Sequence, residues 1–240
     1  MSKFKLYTAI LVITLMLSIA IPVLAVAYNP GVTAGQYVKY GNFVGVGPGA
    51  ESFNEYDWLK LQVMDVSGKE VTFLSTSQFK NGTAISGNGT ISVWNVEVGT
   101  EDGVPSTQGP IIAVSLNQGD QIPPSNTYSV NRTETRVYLG NSRTVNILDA
   151  SISTPDYTTA LNYVYDKSSG MLLESTTQTV TQDDSSPVTT AISYNIIDTN
   201  IFEATPSPSP SIPELPIAII SIIVLLGAVT AAVFLVKTKV

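Results

Sequence analysis

The central part of the chain, residues 36–202, alternates apolar and polar side chains with a period of two, which predicts strands. Runs rich in Val, Ile, Thr and Tyr are separated by clusters of Gly, Asn, Asp and Ser, which favour turns. The clearest strand covers 188–196, where Ile192, Tyr194 and Ile196 share one face. One apolar face per strand predicts antiparallel pairing over a single core. No amphipathic helix is predicted in this region.

Further strands are predicted over 57–65 and 159–165, and turns over 66–69, 166–170 and at Gly140-Asn141. About nine to eleven strands would form a strongly curved sheet, either a sandwich or a partly closed barrel. The glycine-rich stretch 45–49 is interpreted as a flexible loop, since it lacks the Lys-Ser/Thr of a phosphate cradle. The hairpin 163–173 resembles hairpins of archaeal surface proteins and of half-barrel lipoprotein carriers.

Residues 1–27 have the three parts of a secretory signal peptide. Two lysines precede an apolar stretch at 6–21, and Pro22 precedes the small residues Ala25 and Ala27. Cleavage is therefore predicted before Tyr28. The alternative is an uncleaved N-terminal membrane anchor.

A second apolar segment, residues 217–236, contains twenty residues without a charge. As a helix it would span about 30 Å, the thickness of a hydrocarbon core. Lys237 and Lys239 follow in the tail 237–240, and the positive-inside tendency places them in the cytoplasm. The sequence thus predicts a type I single-pass membrane protein with residues 28–203 as a β-rich extracellular domain. Residues 204–216, which are rich in Ser and Pro, would form a stiff stalk.

The end of this stalk carries Pro213, Glu214, Leu215 and Pro216 just ahead of the apolar segment. This order of stalk, short motif, helix and basic tail resembles the PEF-CTERM type of archaeal sorting signal, although Leu215 stands where that family usually shows Phe. The resemblance implies that an archaeosortase reads the motif and removes the helix. Retention of the helix as a permanent anchor is the alternative.

Charge and composition exclude several classes of function. From 28 to 211 the chain has 8 Lys or Arg and 18 Asp or Glu, so its formal charge is 8 − 18 = −10. Nucleic acid is therefore not an expected partner, because a polyphosphate needs a basic surface. The chain has no Cys and no His, which excludes Cys/His zinc sites and Ser-His-Asp or Cys-His nucleophile systems. No cofactor is predicted.

Three sequons, at Asn81, Asn88 and Asn131, are candidates for N-glycosylation of an exported chain. Asn-Gly also favours turns, so Asn81 and Asn88 have a structural alternative. Glu101-Asp102 and Asp183-Asp184 could supply oxygen ligands to Ca²⁺, but no EF-hand-like loop is present. Solvated loop charge is the preferred interpretation.

Carboxylates are the remaining catalytic candidates, as in glycoside hydrolases, but their contexts favour turns. Aromatic residues could line a ligand groove or fill a β core, and the core is preferred. The candidates are Tyr37, Tyr40, Trp58, Trp94, Tyr163 and Tyr165.

The sequence therefore predicts a non-enzymatic cell-surface structural or adhesion protein, with surface-layer proteins or glycans as partners. The alternative is an extracellular binding protein that holds an apolar or sugar ligand on a curved β-sheet. An open apolar cavity on the sheet would favour binding, and a filled interior would favour the structural hypothesis.

Overall fold

A computed structural model of the protein describes residues 28–84, 89–105, 109–123, 128–182 and 186–202. The strands are β1 (Tyr37–Val46), β2 (Tyr56–Ser67), β3 (Glu70–Phe79), β4 (Thr90–Asn95), β5 (Thr100–Glu101), β6 (Val104–Pro105), β7 (Gln121–Ile122), β8 (Tyr128–Ser129), β9 (Arg132–Tyr138), β10 (Asn141–Ser153), β11 (Tyr157–Asp166), β12 (Leu172–Thr181) and β13 (Val188–Thr199). A single 3₁₀ turn, Glu51–Glu55, is the one helical element of the described ranges. The prediction of an all-β fold is confirmed.

Eleven strands form one antiparallel sheet in the order β6-β5-β4-β3-β2-β1-β13-β12-β11-β10-β9. Each strand lies beside its neighbour in sequence except at the junction of β1 with β13, which brings the two ends of the domain together. The sheet is not closed, because the edge strands β6 and β9 do not pair with each other. A separate two-stranded ribbon is formed by β7 and β8.

The predicted strands and two of the three predicted turns are confirmed. Residues 188–196 lie in β13, 57–65 in β2 and 159–165 in β11. The turn between β10 and its partner β9 was predicted one residue too late. Tyr138 pairs with Asn141, so Leu139 and Gly140 are the two loop residues, both with positive φ (50° and 80°). That pair of angles defines a type I′ turn, for which Leu is an unusual first residue.

Two apolar clusters fill the interior. The larger one joins the first and last strands and includes Val38, Tyr40, Phe73, Trp94 and Ile196. The second lies on β10 to β12 beneath residues 109–123 and 128–130. The first of these segments is fixed to the sheet by the bonds Ile112 N to Gly170 O (2.9 Å) and Leu172 N to Pro110 O (2.9 Å). Part of the sheet is therefore covered by the chain's own irregular segment.

A buried ion pair fixes the β11–β12 turn. Asp166 is fully buried and accepts two hydrogen bonds from the Arg143 guanidinium, at 2.9 and 3.0 Å. The same carboxylate accepts bonds from the backbone N–H and hydroxyl of Ser169, both 2.8 Å. Because the carboxylate accepts four hydrogen bonds, two of them from a cation, this buried charge is compensated.

Two further observations concern membrane-spanning helices and metal sites. In the described ranges no helix is long and apolar enough to cross a membrane. The predicted transmembrane segment 217–236, the stalk 204–216 and the signal peptide 1–27 lie outside those ranges. Within the same ranges no group of three or more Asp or Glu side chains is arranged to hold a metal ion. Asp183 and Asp184 also lie outside them.

Candidate ligand-binding groove

An open cavity of about 290 Å³ lies on one face of the main sheet. Its walls are formed by aromatic and aliphatic side chains and its floor by small hydroxyl side chains. The lining residues are Phe43, Phe53, Tyr56, Leu59, Ser77, Ser175, Thr177, Ile192 and Tyr194. A second cavity of about 150 Å³ shares Leu59 and Tyr194 with the first. The two adjoining cavities are called the groove here.

The groove shows that the sheet is curved. Ser77 on β3 and Thr177 on β12 line the same cavity, although four strand spacings separate their strands. In a flat sheet this separation would be about 19 Å. Register shifts within β1, β2 and the β11–β12 pair mark β-bulges, which bend strands. The bent sheet therefore turns strands from its two halves toward one another around the groove.

Aromatic rings in contact with one another follow the groove wall. Tyr40 packs edge-on against Tyr194 with ring centroids 5.4 Å apart, and Tyr194 lies 5.5 Å from Phe43. Phe43 is 5.5 Å from Tyr56, which also contacts Phe53 at 6.0 Å. Such ring pairs add packing energy beyond the burial of their area. These contacting aromatic side chains give the groove a well-packed apolar wall.

The 3₁₀ turn Glu51–Glu55 places Phe53 at the mouth of the groove. Its position is set by Asn54, whose side chain accepts a hydrogen bond from Gly45 N (2.8 Å) and donates one to Gly45 O (2.7 Å). Gly45 is required there, because a Cβ at this position would lie 1.7 Å from Ala50 O. The stretch 45–49, interpreted from sequence as a flexible loop, therefore includes the last two residues of β1, and Gly45 within it is closely packed. The pattern of glycines could not show this, because it does not indicate which backbone approaches them.

No Asp, Glu, Lys or Arg side chain lines the larger cavity of the groove. Burial raises the pKa of Tyr194, and a hydrogen bond with Ser175 partly offsets that rise. Burial raises the pKa of Tyr40 well above its ordinary value, and the neighbouring Tyr194 and Tyr165 add to the rise. The Tyr40 hydroxyl donates to Leu172 O at 2.9 Å. The larger cavity therefore offers neutral donors and acceptors in an apolar setting, whereas the smaller one has the carboxylate of Glu101 in its lining.

The predicted aromatic residues separate into two groups. Tyr40, Trp94, Tyr163 and Tyr165 are buried in the core, as the preferred interpretation expected, and Tyr40 also lines the smaller cavity of the groove. Tyr37 and Trp58 are half-buried on the opposite face of the sheet from the groove. The groove residues Phe43, Phe53, Tyr56 and Tyr194 were not singled out as ligand contacts. Their signal in the sequence is weak, because only the pairing of β1 with β13 brings them together.

The sequons are placed as follows. Asn81 is exposed, and its side-chain oxygen accepts a bond from Thr83 N at 2.9 Å. Asn131 is also exposed, and its side-chain oxygen accepts a bond from Asp149 N at 2.7 Å. Both amide nitrogens can therefore carry a glycan without loss of these bonds. Asn88 lies outside the described residues, as do Ala25, Ala27, Pro213, Glu214, Leu215 and Pro216.

A depression of about 440 Å³, separate from the groove, lies over β10, β11 and β12. Asp149 is the one carboxylate in its lining, with Asn162 and Gln178 among the other polar groups. A glycoside hydrolase needs two carboxylates across a cleft. This depression therefore offers half of that arrangement.

Comparison of the chain with protein-family models, with curated proteins and with solved structures returns no match.

Proposed function

We propose that the domain is a non-enzymatic extracellular binding protein that holds a neutral, largely apolar ligand in the groove. The observation that carries this proposal is the open cavity of about 290 Å³ with a continuous aromatic wall and no charged lining residue. Ligand pockets are typically concave and apolar, with a few placed polar groups. A purely structural or adhesion module would need no such opening in its core.

An apolar ligand fits the groove better than a sugar. Sugar recognition relies on hydrogen bonds to many hydroxyls, and a buried polar group without a partner is costly. The larger cavity offers hydroxyls from Ser77, Ser175, Thr177 and the two tyrosines, but no amide or carboxylate. These few groups suit one polar end of a lipid-like molecule.

The same proposal includes a half-barrel architecture for the domain. An open, bent sheet with a groove on its inner face is the arrangement expected of a partly closed barrel that exposes a ligand site at its mouth. Its strongly curved form agrees with the resemblance of the 163–173 hairpin to hairpins of half-barrel carriers. In the same proposal, the signal peptide, the stalk 204–216 and the helix 217–236 present the domain at the cell surface, with the helix retained or removed by an archaeosortase.

Binding in the groove can be tested by filling it. The full chain, held in a non-ionic amphipathic polymer, is titrated with N-phenyl-1-naphthylamine, an uncharged apolar fluorophore. Thr177→Trp places a large ring in the cavity and is expected to weaken binding by about tenfold, the loss of about 1.4 kcal/mol of binding free energy. Thr176→Trp is the matched control, because Thr176 is exposed on the opposite face of β12, where it lines the 440 Å³ depression. A loss of affinity confined to this variant would place the probe in that depression and contradict the proposal.

Equal affinity of the Thr177→Trp and Thr176→Trp variants would contradict the proposal, since the probe would then bind elsewhere. Membrane attachment is tested separately by mass spectrometry of the mature protein. A C-terminal peptide that ends at Val240 shows a retained helix, and loss of the chain after the 213–216 motif shows processing.

A further inference from the structure

A pair of lysines and a pair of aromatic residues form a compact patch on the face of the sheet opposite the groove. Lys39 Nζ lies 4.7 Å from the centre of the Trp58 ring, and Lys60 Nζ lies 4.4 Å from the centre of the Tyr37 ring. All four side chains are half-buried. These residues are called the lysine patch here. Cation–π contacts of this kind orient the ammonium groups. Lys60 Nζ also donates one hydrogen bond, to Gln62 Oε1 (3.2 Å), so two of its three N–H groups remain to bind an anion.

The arrangement of the two lysines is unfavourable for the isolated domain. Lys39 and Lys60 are direct partners in the β1–β2 ladder. Like charges placed directly opposite each other on neighbouring strands destabilise a sheet. Stability therefore does not explain why two cations share this position.

Other cations of the domain are used differently. Each of the three arginines, Arg132, Arg136 and Arg143, forms an ion pair with a carboxylate. Within the described ranges, neither Lys39 nor Lys60 forms an ion pair. The neighbouring Asp198, the β13 partner of Lys39, instead accepts a hydrogen bond from the Tyr37 hydroxyl at 3.1 Å. Two cations without an ion pair among the described residues thus lie side by side on a domain of strongly negative net charge.

We propose that the lysine patch is a second binding site, separate from the groove, that recognises an acidic polysaccharide. The two ammonium groups would bind carboxylates of the polymer, and the edges of Trp58 and Tyr37 would contact its sugar rings. Trp58 is held for this contact by the hydrogen bond from its indole N–H to Gln78 Oε1 (2.9 Å). A polysaccharide is favoured over a nucleic acid because the acidic remainder of the domain repels a densely charged polyphosphate.

The probe for this site is polygalacturonate, and fully methyl-esterified polygalacturonate is the uncharged control with the same backbone. The full chain, in the same non-ionic polymer, is expected to bind the acid form and not the ester. Lys39→Gln with Lys60→Gln is expected to lower the affinity about tenfold or more, because two charge-assisted contacts are lost. Asp198→Asn is expected to raise the affinity about twofold, since it removes a nearby negative charge.

A matched double variant, Lys69→Gln with Lys167→Gln, removes the same charge at two turns away from the patch and is expected to leave the affinity within about twofold, because charges far from the site are screened by salt. Equal losses in the two double variants would overturn the proposal, as would absence of binding, equal binding of the ester or equal affinity for duplex DNA. Binding of N-phenyl-1-naphthylamine is expected to be unchanged by Lys39→Gln with Lys60→Gln. That control separates failure of the patch from failure of the groove.

Discussion

At the scale of single residues, Gly45 connects the backbone of β1 to the wall of the groove. An added Cβ would lie 1.7 Å from Ala50 O and 3.2 Å from the Phe53 Cβ, so the 3₁₀ turn would have to move. Gly45→Ala is therefore expected to destabilise the domain by about 1–3 kcal/mol, as overpacking does, and to weaken probe binding in the groove. Urea unfolding and fluorophore titration measure the two effects. Gly49→Ala is the control, because its φ of 79° costs energy but no atom lies within 4 Å of the added Cβ. Unaltered probe binding in Gly45→Ala would contradict the role given to this turn.

At the scale of elements, the long strands could be predicted from sequence and the groove could not. Strands β2, β11 and β13 alternate over many residues because one of their faces is buried. The two-residue strands β5 to β8 have no such period, because tertiary contacts alone decide their pairing. The groove depends on which strands become neighbours. Tyr40 of β1 pairs with Ile196 of β13, and no local pattern in the sequence indicates a contact over that separation. The lysine patch was also missed, because Lys39 and Lys60 become neighbours only through the β1–β2 register.

The β9–β10 hairpin carries a prediction of its own at this scale. Leu139 adopts φ of 50° and is 48% exposed, so its side chain gains little burial to offset a left-handed backbone. Leu139→Asn creates the Asn-Gly pair that a type I′ turn prefers and is expected to raise the free energy of unfolding by about 0.5–1 kcal/mol. Val137→Asn is the control, since Val137 is 71% exposed in the same hairpin but has ordinary strand geometry. It is expected to destabilise the hairpin. A gain of stability in both variants would show that removal of apolar surface, not turn geometry, is the cause.

At the scale of the whole molecule, buried phenols set the response of stability to pH. The chain has no histidine, so no side chain with an ordinary pKa titrates between pH 5 and 8. Burial raises the pKa of Tyr40 and Tyr165 well above 10, and it raises the pKa of Tyr138 to about 12. In the unfolded chain these phenols release protons near pH 10, whereas in the folded chain they retain them. Their contribution to stability is therefore complete below about pH 10 and is lost as the pH rises toward the folded pKa.

The variant Tyr138→Phe removes one buried phenol and so tests its contribution to the loss of stability at high pH. The Tyr138 hydroxyl is buried beside Arg136 and Glu174 but forms no hydrogen bond of good geometry with either, so its removal is expected to change stability little at pH 7. Between about pH 10 and 12 the free energy of unfolding of the variant should fall less steeply, by up to about 1.4 kcal/mol per pH unit, because one proton fewer is released on unfolding. Urea unfolding at a series of pH values measures both slopes, and absorbance at 295 nm follows phenol ionisation in the folded chain. Identical slopes in the two proteins would mean that Tyr138 ionises before the domain unfolds, and the loss of stability at high pH would then have to come from the other buried phenols.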